Sequence, residues 1–222
     1  MAEASAPAGR LIAIDGSRGR DVIEAAEALA AELRARGLAC GISRWDASGL
    51  FNELALAGRG ERAISLRTIT LAYVADLAFR LRWEIQPTLA SGGVVIAAPY
   101  VETAVAFGVA CGLPVRWLRD LLRLAPPPHE RAMSRERKRR RGWKHRLDRG
   151  YPEYGATLAA MADPHFDDVR ARKAMMAALE QGVTRRVWTL TKSGIGSAAD
   201  LITGSPPDAA RRSRSRPRTA RR

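Results

Sequence analysis

The sequence predicts a three-layer α/β domain, a parallel sheet with helices packed on both faces. Three observations lead there. Short apolar runs bounded by glycine or proline recur at LIAID (11–15), LACGIS (38–43) and GGVVIAAPY (92–100), and continuous runs of this kind suit strands covered on both sides. Segments of helical period alternate with them, which is the signature of strand-helix-strand crossovers. Finally, 222 residues at 46% hydrophobic are enough for one substantial core.

Taken in order, residues 1–9 are small or alanine-rich and read as a flexible arm ahead of a single domain over 10–203. LIAID is the first strand. Val22, Ala26, Leu29 and Leu33 then recur at steps of four, three and four, an apolar stripe along one helical face, and Gly37 is the stop. LACGIS reads as the second strand. From Glu61 to Ala90 the chain is rich in Leu, Ala and Arg, predicting one long helix or two abutting ones despite Pro87. GGVVIAAPY is the third strand and 101–110 a short helix. DLLRLA (120–125) reads as the fourth strand, stopped by the prolines that follow. HFDDVRARKAMMAALEQG is helical, with acids at its start and glycine at its end. RRVWTLT (185–191) reads as a last strand, and the Pro-, Ser- and Arg-rich residues 204–222 read as a disordered tail.

Charge is unevenly placed. The net +14 is accounted for by RERKRRRGWKHR (135–146), with eight Lys/Arg against one Glu, and by RRSRSRPRTARR (211–222), with seven Arg and no acid. The rest of the chain is formally neutral, so attraction to a polyanion such as nucleic acid is expected from two short segments, the tail above all. Stacking of Trp143 on a base fits the same reading. No run approaches the eighteen apolar residues of a membrane span, and MAEASAPAGR lacks the apolar core of a secretory signal. Cys40 and Cys111 are too few for a disulfide framework, which points to the cytoplasm. His129, His145 and His165 have no carboxylate or cysteine at ligand spacing, so no metal site is expected. Ser193 lacks the strand-to-helix elbow of a hydrolase nucleophile.

The chemistry-bearing stretch is IAIDGSRGRDVIEAAEALAAELRARG (12–37). A phosphate loop needs glycines that let backbone N–H groups converge on an anion, a lysine for the terminal phosphates, and a hydroxyl for magnesium. Gly16, Ser17, Arg18, Gly19 and Arg20 form the candidate loop. With Gly16 as the first glycine of G-x-x-x-x-G-K-[ST], however, Asp21 falls on the second glycine, Val22 on the lysine and Ile23 on the hydroxyl.

Several longer stretches resemble the thymidylate kinase family, a group of P-loop nucleoside monophosphate kinases. DGSRGRDVIEAAEALAAELRARG resembles the family's E-G-x-D-G-A-G-K-[ST]-T-Q loop and helix. LAYVADLAFRLRWEIQPTLASGGVVIAAPYVETAVAF is similar to its L-F-A-A-D-R-x-x-H, I-x-P-A-L-x-x-G, V-I-x-D-R-Y and S-x-x-A-Y signatures, in order. APPPHERAMSRERKRRRG resembles its V-P-P-E-x-A-L-x-R-x-x-x-R segment, which leads into an arginine-bearing lid; here Arg137, Arg139, Arg140 and Arg141 are the lid candidates. The resemblance runs over roughly residues 11–145 and implies a P-loop kinase-like fold and a homodimer.

It also marks departures. Ala98 and Pro99 stand where the family's D-R-Y aspartate and arginine serve the reacting centre and the acceptor phosphate; only Tyr100 matches. Leu77 replaces the base-contacting arginine beside Asp76. Tyr73 falls where the family stacks an aromatic on the base, with a helix-core aromatic as the alternative. Arg44 matches the arginine that grips the monophosphate, with a solvated or salt-bridged arginine as the alternative. A single arginine at a transferring phosphoryl group is worth roughly 10³–10⁵ in rate, so these losses imply a catalytically impaired pseudokinase that keeps the fold for nucleotide binding, regulation or partner contact. Two other readings stand: a divergent kinase using ATP and magnesium on dTMP, with Arg18 and Arg20 supplying the charge of the lysine, and a nucleic-acid-binding module working through its basic segments.

Overall fold

The computed structural model describes residues 9–57, 64–134, 168–182, 187–190 and 194–203. The arm at residues 1–8, the basic segment 135–146 with its four lid arginines, Trp143, His145, His165, Ser193 and the tail from 204 lie outside the described residues.

Among the described residues, five strands form one parallel sheet in the order β2-β3-β1-β4-β5. β1 is Arg10–Asp15, β2 Cys40–Arg44, β3 Val94–Ala98, β4 Glu130–Ser134 and β5 Val187–Leu190. β1 is central, pairing Leu11 with Val95 on one side and Ile14 with Ala132 on the other. Because side chains alternate across a strand, its residues feed two cores. Ile12 and Ile14 join Ile96 beneath helix α1 (Gly19–Ala35) and α8 (Gly194–Thr203). Leu11 and Ala13 join Val95 and Met133 on the opposite face, with side chains from the remaining helices. The expected helix-sheet-helix layering is therefore what the chain adopts.

On that second face lie α2 (Leu50–Ala57), α3 (Leu66–Arg80), α5 (Val101–Ala110), α6 (Val115–Leu121) and α7 (Asp168–Gly182). α3 is capped by Ser65, whose hydroxyl accepts the Thr68 N–H at 3.1 Å. It runs through a π-helical turn at Leu81–Ile85 into α4 (Gln86–Ala90). Pro87 is tolerated because it falls in the first turn of α4. α1 ends as its sequence predicts: Gly37 takes φ +80°, and Leu38 N–H reaches back to Leu33 O at 3.1 Å.

One element is corrected. DLLRLA is not a strand; it is the end of α6 and a 3₁₀ turn at Leu122–Leu124. Leu118 and Leu122, four apart, are both buried, whereas Leu124 is 46% exposed, a helical pattern and not a strand's. The fourth strand is instead ERAMS, whose leading charges hide its role. Its register is set from outside, by His129: its N–H donates to Leu11 O at 2.8 Å and its Nδ1 accepts the Leu11 N–H at 3.0 Å. Helices α2 and α8 are additional to the sequence reading.

Leu118 is fully buried and packs onto Gly108 of α5, where a Cβ would stand only 2.6 Å from its methyl groups. Leu118→Ala is expected to cost about 2–5 kcal/mol in urea-induced unfolding, while Leu124→Ala on the same segment costs under about 0.5 kcal/mol. Equal losses at the two positions would contradict the helical assignment.

Candidate functional site

In open parallel sheets ligands bind at the carboxyl ends of the strands, and here those ends carry most of the buried polar side chains. β1 ends at Asp15 and α1 begins at Gly19, leaving three residues between strand and helix. Gly16 is required by crowding: a Cβ would meet Val22 Cγ2 at 2.8 Å and Ser134 O at 3.2 Å. Val22 and Ile23 are buried in the α1-side core, Val22 completely. Val22 N–H bonds Arg18 O at 3.1 Å, so the helical pattern already begins at the candidate loop. Arg20 Nε pairs with Glu24 Oε1 at 2.8 Å, an exposed i,i+4 contact. Asp21 lies in the first turn of α1, where the helix dipole favours an acid.

Asp15 is the junction of this end of the sheet. Its Oδ1 accepts the Tyr100 N–H at 3.0 Å, the Thr103 N–H at 2.9 Å and the Thr103 hydroxyl at 2.8 Å. Tyr100 is the N-cap of α5 and has no capping side-chain bond of its own, so a carboxylate from a neighbouring strand supplies the cap. Gly16 N–H in turn donates to Thr103 Oγ1 at 3.1 Å, which engages the loop's first amide internally. Burial pushes the Asp15 carboxyl up; its hydrogen bonds to Thr103 and Tyr100 oppose this, and the charge of Glu102 reinforces it.

Glu102, next along α5, is held by both arms of Arg119 at 2.7 Å and by Arg131 at 2.8 Å. Burial acts to raise its carboxyl, but the Arg119 hydrogen bonds and charge, with those of Arg131, outweigh it and hold the group below its ordinary value.

Of the remaining expected residues, Tyr73 is buried in the core and its hydroxyl donates to Tyr100 O at 2.7 Å. The Tyr100 hydroxyl donates to Pro126 O at 2.8 Å, and burial pushes its pKa up to about 12. Asp76 is fully buried and accepts the Asp46 N–H, the Ser48 N–H and the Ser48 hydroxyl at 3.2, 3.0 and 2.8 Å. It thereby pins the turn between β2 and α2, where Asp46 takes φ +59° and its carboxylate accepts the Phe51 N–H. Arg44 lies apart from this cluster, paired with Glu27 at 2.9 Å on the half-exposed surface.

The fold thus brings Gly16, Tyr73 and Tyr100 together around Asp15. The sequence reading missed Asp15 itself, Thr103, Glu102 and Arg80. An acid closing an apolar strand was a visible signal for Asp15. Arg80 offered none, because its partners lie on two other segments. Its Nε donates to Ser43 Oγ at 2.9 Å, and its Nη2 donates to Ser43 O and Pro99 O at 2.9 and 2.8 Å. Pro99 follows a cis peptide bond. Among the described residues no group of three or more His, Cys, Asp or Glu is placed to hold a metal ion, and no helix is long and apolar enough to cross a membrane.

Comparison with known proteins places two relatives beside this geometry. The chain is 33% identical over 129 residues to a thymidylate kinase of Xylella fastidiosa, covering 55% of this chain and 56% of that protein. It is 34% identical over 59 residues to a probable thymidylate kinase of Pyrobaculum calidifontis, covering 27% and 31%. The matched segments therefore span between about a third and just over half of these relatives' own length. No family model matches the chain.

The buried Asp15 carboxyl gives a pH test. Its folded pKa is raised above the unfolded value of about 3.8, so the native state loses stability as pH climbs from there through the raised value. Asp15→Asn keeps an Oδ1 acceptor without the charge. Its stability relative to wild type is expected to improve as pH rises from about 3.8 through the raised folded pKa, and to be independent of pH well below 3.8. A gap that moves the other way in pH-resolved denaturation would show that the ionised carboxylate stabilises the fold.

Proposed function

We propose that this chain is a thymidylate-kinase-like nucleotide-binding protein in which phosphoryl transfer has been lost, its domain over 10–203 serving ligand binding, regulation or partner contact in the cytoplasm. The resemblance to thymidylate kinases supplies the ligand class, nucleoside mono- and triphosphates. The observation that carries the loss is Val22. At the register of the phosphate-loop lysine stands an apolar side chain wholly enclosed by the core beneath α1, with Ile23 buried beside it at the hydroxyl register.

The size of the effect supports this reading. Phosphoryl transfer depends almost wholly on positioning and on positive charge around the transferring group. Here the lysine and magnesium-anchoring hydroxyl are replaced by core packing. Ala98 and Pro99 occupy the D-R positions, and Arg20 is engaged with Glu24. Losses within one site do not simply add, yet a single such cation already accounts for about three to five orders of magnitude.

Incubation with ATP, magnesium and dTMP is expected to yield no diphosphate above background, while nucleotide raises the melting temperature. A ligand at a hundredfold excess over its Kd adds about 2.7 kcal/mol. Turnover at an ordinary kinase rate would refute the reading; absence of any nucleotide-induced shift would remove its ligand. Val22→Lys is expected to destabilise the protein by several kcal/mol without creating activity, because it buries an unpaired charge.

A further inference from the structure

Arg80 is the largest fully buried side chain among the described residues. Its Nε and Nη2 are saturated by Ser43 and Pro99; the buried Nη1 meets no hydrogen-bond partner in good geometry, although the guanidinium lies close enough to the Tyr73 hydroxyl to oppose the rise that burial causes in its pKa. Nor does the guanidinium form a direct ion pair among the described residues: the nearest carboxylate in its network, Glu84, is reached only through the Ser43 hydroxyl, which donates to it at 2.6 Å. An enclosed cation with an unused N–H is costly, since desolvation of a charge is offset only by a facing charge and full hydrogen bonding. Buried polar groups left unsatisfied are rare, and each calls for an explanation, a bound ion or a function among them. The position is also informative: Ser43 and Pro99 lie at the carboxyl ends of β2 and β3, the edge of a parallel sheet where ligands are received.

We infer that Arg80 is a built oxyanion receptor, its free Nη1 taking one anionic oxygen of a small ligand's phosphate or carboxylate group at the β2–β3 end of the crevice. The bound oxygen completes the guanidinium's hydrogen bonding and supplies its missing counter-charge. Nη1 is closed from solvent in the ligand-free chain, so the oxyanion enters a locally opened form and shifts the population toward it. This deepens the nucleotide-binding reading above by assigning a particular side chain to the ligand's anionic group. It does not depend on whether phosphoryl transfer occurs.

The test is thermal denaturation with inorganic phosphate, acetate, dTMP and thymidine, each at low salt and at about 1 M NaCl, where the screening length falls to about 3 Å and exposed arginines contribute little. Wild type is expected to show a salt-resistant rise in melting temperature with phosphate and dTMP and none with thymidine. A rise with acetate would extend the class to carboxylates. Arg80→Met is expected to abolish the rise and Arg80→Lys to weaken it. Should Arg80→Met fail to fold, ¹⁵N-arginine NMR of the wild type decides: phosphate must perturb a solvent-protected guanidinium signal. No salt-resistant rise, a rise retained in Arg80→Met, or an unperturbed signal overturns the assignment. If phosphate binds through Arg80 but nucleotides do not bind, the functional reading fails and this one stands. If nucleotides bind equally to Arg80→Met, the reverse holds.

Discussion

The carboxylate of Asp15 organises the working end of the sheet. It closes the central strand and caps α5 from across the crevice. Through the Thr103 hydroxyl it also fixes the first amide of the loop that follows. Helix N-termini need acceptors for their first N–H groups, and α5 obtains one from a strand 85 or more residues earlier in the chain. The price of this arrangement is a buried carboxyl whose desolvation outweighs three hydrogen bonds. In return, the strand ends, the loop and α5 hold one geometry.

Around that junction the other buried charges follow a common rule. Asp76 is spent on the turn after β2, Glu102 on two arginines, and Arg80 on the carbonyls of Ser43 and Pro99. Each ties a loop or helix end to the sheet, which is how an interior of low polarity accommodates charge. Arg80 is the member whose hydrogen bonding is incomplete. The loop beside α1 goes the opposite way, since Val22 and Ile23 add apolar contact where a phosphate loop would present a cation and a hydroxyl. The β2–β3 side thus carries a buried guanidinium, while the β1–α1 side buries apolar side chains.

Much of the fold was legible because its signals are local. The stripe of Val22, Ala26, Leu29 and Leu33, the αL glycine at 37 and the uninterrupted run VVIAA each encode their own state. DLLRLA misled because a short apolar run has no period long enough to separate strand from helix. ERAMS escaped notice because its strand state is imposed by pairing with β1 and by His129, not by its own propensity. Pro87 proved compatible with a helix because it falls in the first turn of α4. Asp15 sat at a readable strand end, but its role as a cap for α5 belongs to a contact between distant segments.

By itself the sequence determined the layered parallel architecture, the strand and helix at the amino-terminal loop, and the residues of that loop, where Asp21, Val22 and Ile23 follow its glycines. These follow from period, composition and register along a few dozen residues. Only the tertiary structure decided which polar groups meet. Asp15 reaches Thr103, Asp76 reaches the β2–α2 turn, and Arg80 reaches Ser43 and Pro99 because strands far apart in the chain lie side by side in the sheet. Side-chain hydrogen bonding depends on distances of about 3 Å in space, and such distances across dozens of residues leave no periodic trace in a single sequence.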